Sequence, residues 1–169
     1  MTDTAKRRPT KTITLDTGTY SWGTMRMVDL IPVAMALAKQ IDPQAAEYVR
    51  AGAPEVFEAL DGATDITDWD LAELPQGEYL TDIYIELCDI INYALPEWLY
   101  WGSTEGDGTD VGIWMADLED IIISDDPETQ AAALAWLGLT LEEYQADPCF
   151  EMPATIDIEV PDMSAGGAA

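Results

Sequence analysis

Glu105, Asp107 and Asp110 come nearest to a ligand-binding pattern in this chain, because they alternate with glycine in "EGDGTDVGIW". Alternating oxygens around glycine are what a calcium loop uses. The EF-hand register, however, wants glycine at its sixth position and glutamate at its twelfth, where this chain has Asp110 and Ala116. A phosphate cradle fails on charge: no lysine follows the glycines, and three carboxylates repel the ligand. The favoured reading is a hairpin turn in which glycine supplies the positive φ angles. A cation at Glu105, Asp107 and Asp110 is the alternative that sequence leaves open.

Other chemistry is bounded by what the chain lacks. It has no histidine, so a Ser-His or Cys-His nucleophile pair and a histidine-bearing zinc site are excluded. Carboxylate mechanisms remain, yet 33 acids guarantee that some pair lies close, so proximity of two acids diagnoses nothing. An enzyme acting on acidic polymers would need a positive cleft, and seven bases are too few to build one. A non-enzymatic protein without a cofactor is expected. Cys88 and Cys149 are far apart and in no ligand-like spacing, which reads as buried thiols. Trp69, Trp98, Trp101, Trp114 and Trp136 could stack on bases or sugars, but in an arginine-poor chain they are expected to pack the core and the hairpin.

Charge is the outlier. The formal net is −26, and the seven bases are Lys6, Arg7, Arg8, Lys11, Arg26, Lys39 and Arg50. Setting aside Asp3, Asp16, Asp29, Asp42 and Glu47 leaves 28 acids in the 119 residues from Ala51 onward, with no lysine or arginine among them. Internal ion pairs cannot neutralise that region, and a single-sign field destabilises the compact state. Direct nucleic-acid binding is excluded on the same ground, since that affinity comes from Lys and Arg displacing counterions. No apolar run is long enough for a membrane span, and the basic start is followed by no hydrophobic stretch of a secretory signal, so a cytoplasmic protein is expected.

The elements that must carry these side chains can be read from periodicity. Residues 1–11 read as a disordered basic arm, 12–162 as one acidic domain and 163–169 as a flexible tail. "TITLDTGTY" and "ATIDIEV" alternate as strands. "DLIPVAMALAKQI" has helical spacing, with Pro32 tolerable if the helix begins near Asp29. Asp42 and Pro43 form a cap and first-turn pair, and "PEVFEALDG" gives one more short helix. Residues 61–78 read as an acidic loop anchored by Ile66, Trp69 and Leu71. In "EYLTDIYIELCDIINYALP" an apolar face through Leu80, Ile83, Leu87 and Ile91 opposes Glu78, Asp82, Glu86 and Asp89, a row of carboxylates on one side of a helix. Residues 98–115 form the hairpin, and "ADLEDIII" a short helix or strand. Asp126 caps an alanine-rich helix that Gly138 stops, and Thr140 with Glu143 makes a capping box. The expected fold is α+β: one domain of several helices on a small antiparallel sheet that contains the hairpin.

"GTMRMVDLIP" and "LYWGSTEGDGTDVGIW" together resemble two motifs of an uncharacterised family of small acidic bacteriophage-encoded proteins. The matching positions are Thr24, Met25, Arg26, Asp29, Leu30, Ile31 and Pro32, then Gly102, Gly106, Asp107, Gly108, Asp110, Gly112 and Trp114. The resemblance implies a phage origin and a strand-helix-hairpin core, and no substrate. This chain departs from it in the long acidic extension past Trp114.

The functional expectation follows from the imbalance. A fold covered in spaced carboxylates presents to a basic nucleic-acid-binding protein of the host the pattern its cleft was built for, and attraction speeds the encounter. Anti-restriction or anti-CRISPR inhibition is the kind of role this describes. The first expected surface is Asp61, Asp65, Asp68, Asp70, Glu73, Glu78, Asp82, Glu86 and Asp89; the second is Asp117, Glu119, Asp120, Asp125, Asp126 and Glu128. The alternative is a phage accessory, structural or salt-adapted protein whose acids serve solubility. An ordered face of acids favours the first, an even scatter the second.

Overall fold

The structure is a computed structural model that describes residues 10–62, 65–116, 127–146 and 151–162. Strand alternation sets its first layer. In β1 (Thr10–Asp16) Leu15 is buried while Thr12 and Thr14 face out, and β5 (Thr155–Pro161) buries Ile156, Ile158 and Val160. The two strands pair antiparallel over their full length, with Thr12 opposite Glu159 and Thr14 opposite Asp157. On the outer face those threonine hydroxyls donate to the facing carboxylates.

β2 (Gly18–Ser21) leaves this ribbon for a second antiparallel sheet of order β2-β4-β3, with β3 at Leu99–Thr104 and β4 at Asp107–Met115. The sequence led us to expect one sheet; the chain builds two, because "TITLDTGTY" divides at Thr17 into strands with different partners. The hairpin reverses at Glu105 and Gly106, where Gly106 has φ +89°. Gly112 on β4 is required by close approach, since a Cβ there would lie 2.0 Å from the Gly18 carbonyl oxygen.

The helices pack against these sheets around one main core. α1 (Met27–Ile41) is its axis, with Leu30, Ile31, Ala34, Leu37 and Ala38 essentially inaccessible. α5 (Leu80–Ala94), entered through a 3₁₀ turn at Gly77–Tyr79, lays Leu80, Ile83, Leu87 and Ile91 against it. α2 (Pro43–Gly52) starts as its sequence requires: the Asp42 carboxylate accepts from the Gln44 and Ala45 amides at 3.0 and 2.9 Å. α3 (Pro54–Gly62) and α4 (Asp68–Ala72) follow. α6 (Pro127–Leu137) ends at Gly138, φ +71°, and α7 (Leu141–Ala146) begins with the Thr140–Glu143 capping box.

Three local expectations change. α1 begins at Met27, so Pro32 sits more than a turn inside it, at an exposed position of the helix. The segment read as an acidic loop contains α4, nucleated by a reciprocal capping box between Thr67 and Asp70. Trp69 anchors nothing there and is 84% exposed, while Leu71 is fully buried and Ile66 packs on the core. Thr10 and Lys11, assigned to the arm, belong to β1. Residues 1–9, residues 163–169, the "ADLEDIII" segment from 117 onward, Asp126 and Cys149 lie outside the described residues. No polar or charged side chain among the described residues is fully buried, which keeps the carboxylates where water solvates them.

Candidate acidic interaction site

The fold sorts the first expected acidic surface into structural and free carboxylates. Asp61 ends α3 and pairs with Arg50 of α2, whose guanidinium also lies 5.5 Å over the Phe57 ring. Asp68 is half-buried and caps α1 from 40 residues away, accepting from the Met27 and Val28 amides at 3.1 and 2.9 Å. Asp70 closes its own capping box, and the hydrogen bonds from the Thr67 hydroxyl and amide lower its pKa. Glu78 lies in the 3₁₀ turn, outside α5, and takes a hydrogen bond from the Tyr79 hydroxyl, whose pKa it raises. Asp65 and Glu73 are exposed on either side of α4. Asp82, Glu86 and Asp89 remain, all exposed on α5, with no hydrogen bond or ion pair among the described residues. Their axial separations are roughly 6 and 4.5 Å. Of the second surface only Glu128, exposed in the first turn of α6, is among the described residues; Asp117, Glu119, Asp120, Asp125 and Asp126 are not.

The free carboxylates of α5 form one wall of a groove whose other wall is α2. Three adjoining depressions of about 240, 480 and 460 Å³ share their walls: Val49 and Glu86 line the first two, and Asp42, Ala45, Asp89 and Ile90 the last two. The groove runs from Tyr79, in the 3₁₀ turn, along α5 to Ala94, about 22 Å by helix rise. Its floor is aliphatic, with Ile41, Ala45, Val49, Ile90 and Ala94. Two tyrosines stand on its rim almost bare, Tyr48 at 80% and Tyr93 at 95% exposure. Glu159 and Pro161 of β5 close one end. Among the described residues no lysine or arginine lines it, whereas a separate cavity bordered by α1, α2 and α3 is lined by Lys39 and Arg50.

Asp42, Glu159, Tyr48 and Tyr93 are the members of this site that sequence reasoning missed. Asp42 was legible only as a helix cap, and Glu159 only as an outward strand position. Glu159 accepts from Thr12 and Thr10 across the ribbon, and those hydrogen bonds hold its carboxyl below the usual range.

The hairpin carboxylates do not converge. Asp107 spends an oxygen on its own loop, accepting from the Thr109 amide at 3.0 Å and hydroxyl at 2.7 Å, which lowers its pKa. Asp110 is half-buried, with one oxygen lacking a hydrogen-bond partner among the described residues. Among those residues no group of three or more acids or cysteines is placed to hold a metal ion. Nor is any helix long and apolar enough to cross a membrane. Trp101 is buried, edge-on to Tyr20 at 5.3 Å, and Trp98, Trp114 and Trp136 are half-buried. Cys88 is half-buried beside Tyr84, and burial raises the pKa of both.

What fold and site define by themselves is an α+β protein with an aliphatic groove between two helices, rimmed by carboxylates. Compared with protein-family models, curated proteins and solved structures, the chain matches none.

Proposed function

We propose that this chain is a non-enzymatic acidic binding protein of phage type, which occupies the basic nucleic-acid cleft of a host DNA- or RNA-handling protein in the host cytoplasm. The observation that carries this reading is the α2–α5 groove. Its acids Asp42, Asp82, Glu86, Asp89 and Glu159 number five over about 22 Å, with Asp82 and Glu86 toward one end and Asp42, Asp89 and Glu159 gathered at the other. A single nucleic-acid strand carries one charge per ~3.4 Å and a duplex one per ~1.7 Å, so the groove approaches the density of one strand. The fold does not use Asp82, Glu86 or Asp89 for capping or pairing among the described residues. Their mutual repulsion is relieved when a basic surface approaches, and the net field of −26 steers that approach.

The phage-type motifs support the origin through architecture. Thr24 and Arg26 both hydrogen-bond Asp29, fixing the entry to α1, and Gly112 admits β2 against β4. One observation favours the solubility reading: Glu55 and Glu58 on α3, Asp157 on β5 and Glu142 on α7 are exposed too, so acids are not confined to one face.

The test immobilises the full chain, passes bacterial lysate over it at low salt, and elutes with duplex DNA. Basic nucleic-acid-binding proteins are expected to be retained and released by DNA. If nothing basic is retained, or DNA displaces none of it, the reading falls and solubility takes its place.

A further inference from the structure

We infer that the α2–α5 groove receives one amphipathic, arginine- and lysine-bearing α-helix of the partner, of the kind that proteins otherwise lay in the DNA major groove. This deepens the reading above and rests on it. Charge complementarity selects a basic occupant: Asp82, Glu86 and Asp89 stand along one wall, Asp42 and Glu159 beyond the floor, and no cation among the described residues lines the groove. The floor adds what a bare acidic patch lacks. Ile41, Ala45, Val49 and Ile90 give a strip of aliphatic surface between two helices, into which the side-chain ridges of a third helix can pack. Length selects a helix, because about 22 Å accommodates four turns, and a helix of that length puts apolar residues on the floor while its flanks meet both acid rims. Tyr48 and Tyr93 are placed to cover the aliphatic stems of the incoming basic side chains and to offer their rings to guanidinium groups.

The probe is a synthetic peptide of about 16 residues with leucines at helical i, i+3, i+4, i+7 spacing and arginines on both flanks, beside a scrambled peptide of the same composition. Binding to the full chain is followed by fluorescence anisotropy, and circular dichroism verifies that each variant is folded. The amphipathic peptide is expected to bind and the scrambled one to bind about tenfold more weakly. Neutralising the wall (Asp82→Asn, Glu86→Gln, Asp89→Asn) should weaken binding about tenfold. The same charge change elsewhere (Glu55→Gln, Glu58→Gln, Asp157→Asn) should alter it less than about twofold. Ala45→Trp, which fills the floor at constant charge, should also weaken binding about tenfold.

Equal loss in both neutralised variants, or no loss in Ala45→Trp, overturns the inference in favour of a diffuse field. Equal binding of the scrambled peptide does the same. If replacing Lys6, Arg7 and Arg8 by alanine strengthens peptide binding tenfold, the chain's own basic segment is the occupant and the inference also falls. Retention of DNA-displaceable basic proteins without peptide binding would sink the groove assignment and leave the functional reading standing.

Discussion

Asp68 separates carboxylates that build this fold from those free to meet a partner, and its removal gives a quantitative test. Asp68→Ala deletes two charge-assisted hydrogen bonds, at 3.1 and 2.9 Å, to the first two amides of α1. The positional N-cap, Arg26, supplies no side-chain cap of its own, so those amides lose their acceptor. Losing a helix cap costs about 0.5–2 kcal/mol, and hydrogen bonds to charged acceptors sit at or above the upper end. Asp68 is half-buried, so water partly replaces the loss, and one fewer negative charge returns a few tenths of a kcal/mol. The expected net loss is about 1–2 kcal/mol, a drop of roughly 3–6 °C in Tm for a chain of this size. Asp68→Asn keeps one acceptor oxygen and should recover about half of it. Thermal denaturation followed by circular dichroism measures both. A melting point for Asp68→Ala within about 1 °C of the parent would refute the assignment. Neutralising Asp82, Glu86 and Asp89 should leave the melting point unchanged or raise it, while weakening partner binding.

Three further outcomes are expected. Raising sodium chloride from 50 mM to 500 mM should raise the melting temperature, because screening lowers the self-repulsion of a −26 chain; a flat response would mean that repulsion is not a significant term. Gly112→Ala should destabilise by about 3 kcal/mol or more, since the Gly18 carbonyl 2.0 Å from the added Cβ is backbone and β2 must part from β4; chemical denaturation with a normal midpoint would contradict the close approach. Hydrogen bonds from Thr67 and Thr140 lower the pKa of Asp70 and Glu143, so their contribution holds above the ordinary values of 3.8 and 4.5 and is lost as pH falls through the depressed folded values. The acid limb of a melting-temperature profile should therefore begin below those ordinary values, and Thr67→Val should shift it upward; no shift would show that the capping box does not hold the carboxylate.

Much of the fold was legible because it rests on local rules. Asp42 before Pro43, Gly138 after α6 and Thr140 with Glu143 each fix a helix end by hydrogen bonds within a few residues, and the sequence displays both partners. The apolar rhythm of α5, the alternation of β5 and the glycine reversal at Gly106 are equally local. The imbalance of charge is a property of composition alone. What sequence could not decide was which acids are free. Asp61, Asp68 and Asp82 look alike in a string of letters, and only packing brings Arg50 to the first, the α1 amides to the second and nothing described to the third. The exposure of Trp69, the division into two sheets, and the meeting of Asp42, Tyr48, Tyr93 and Glu159 along one groove depend on residues far apart in sequence. Short-range hydrogen bonding and periodicity write the elements into the chain, whereas a groove exists only where two helices and a strand end come to rest side by side.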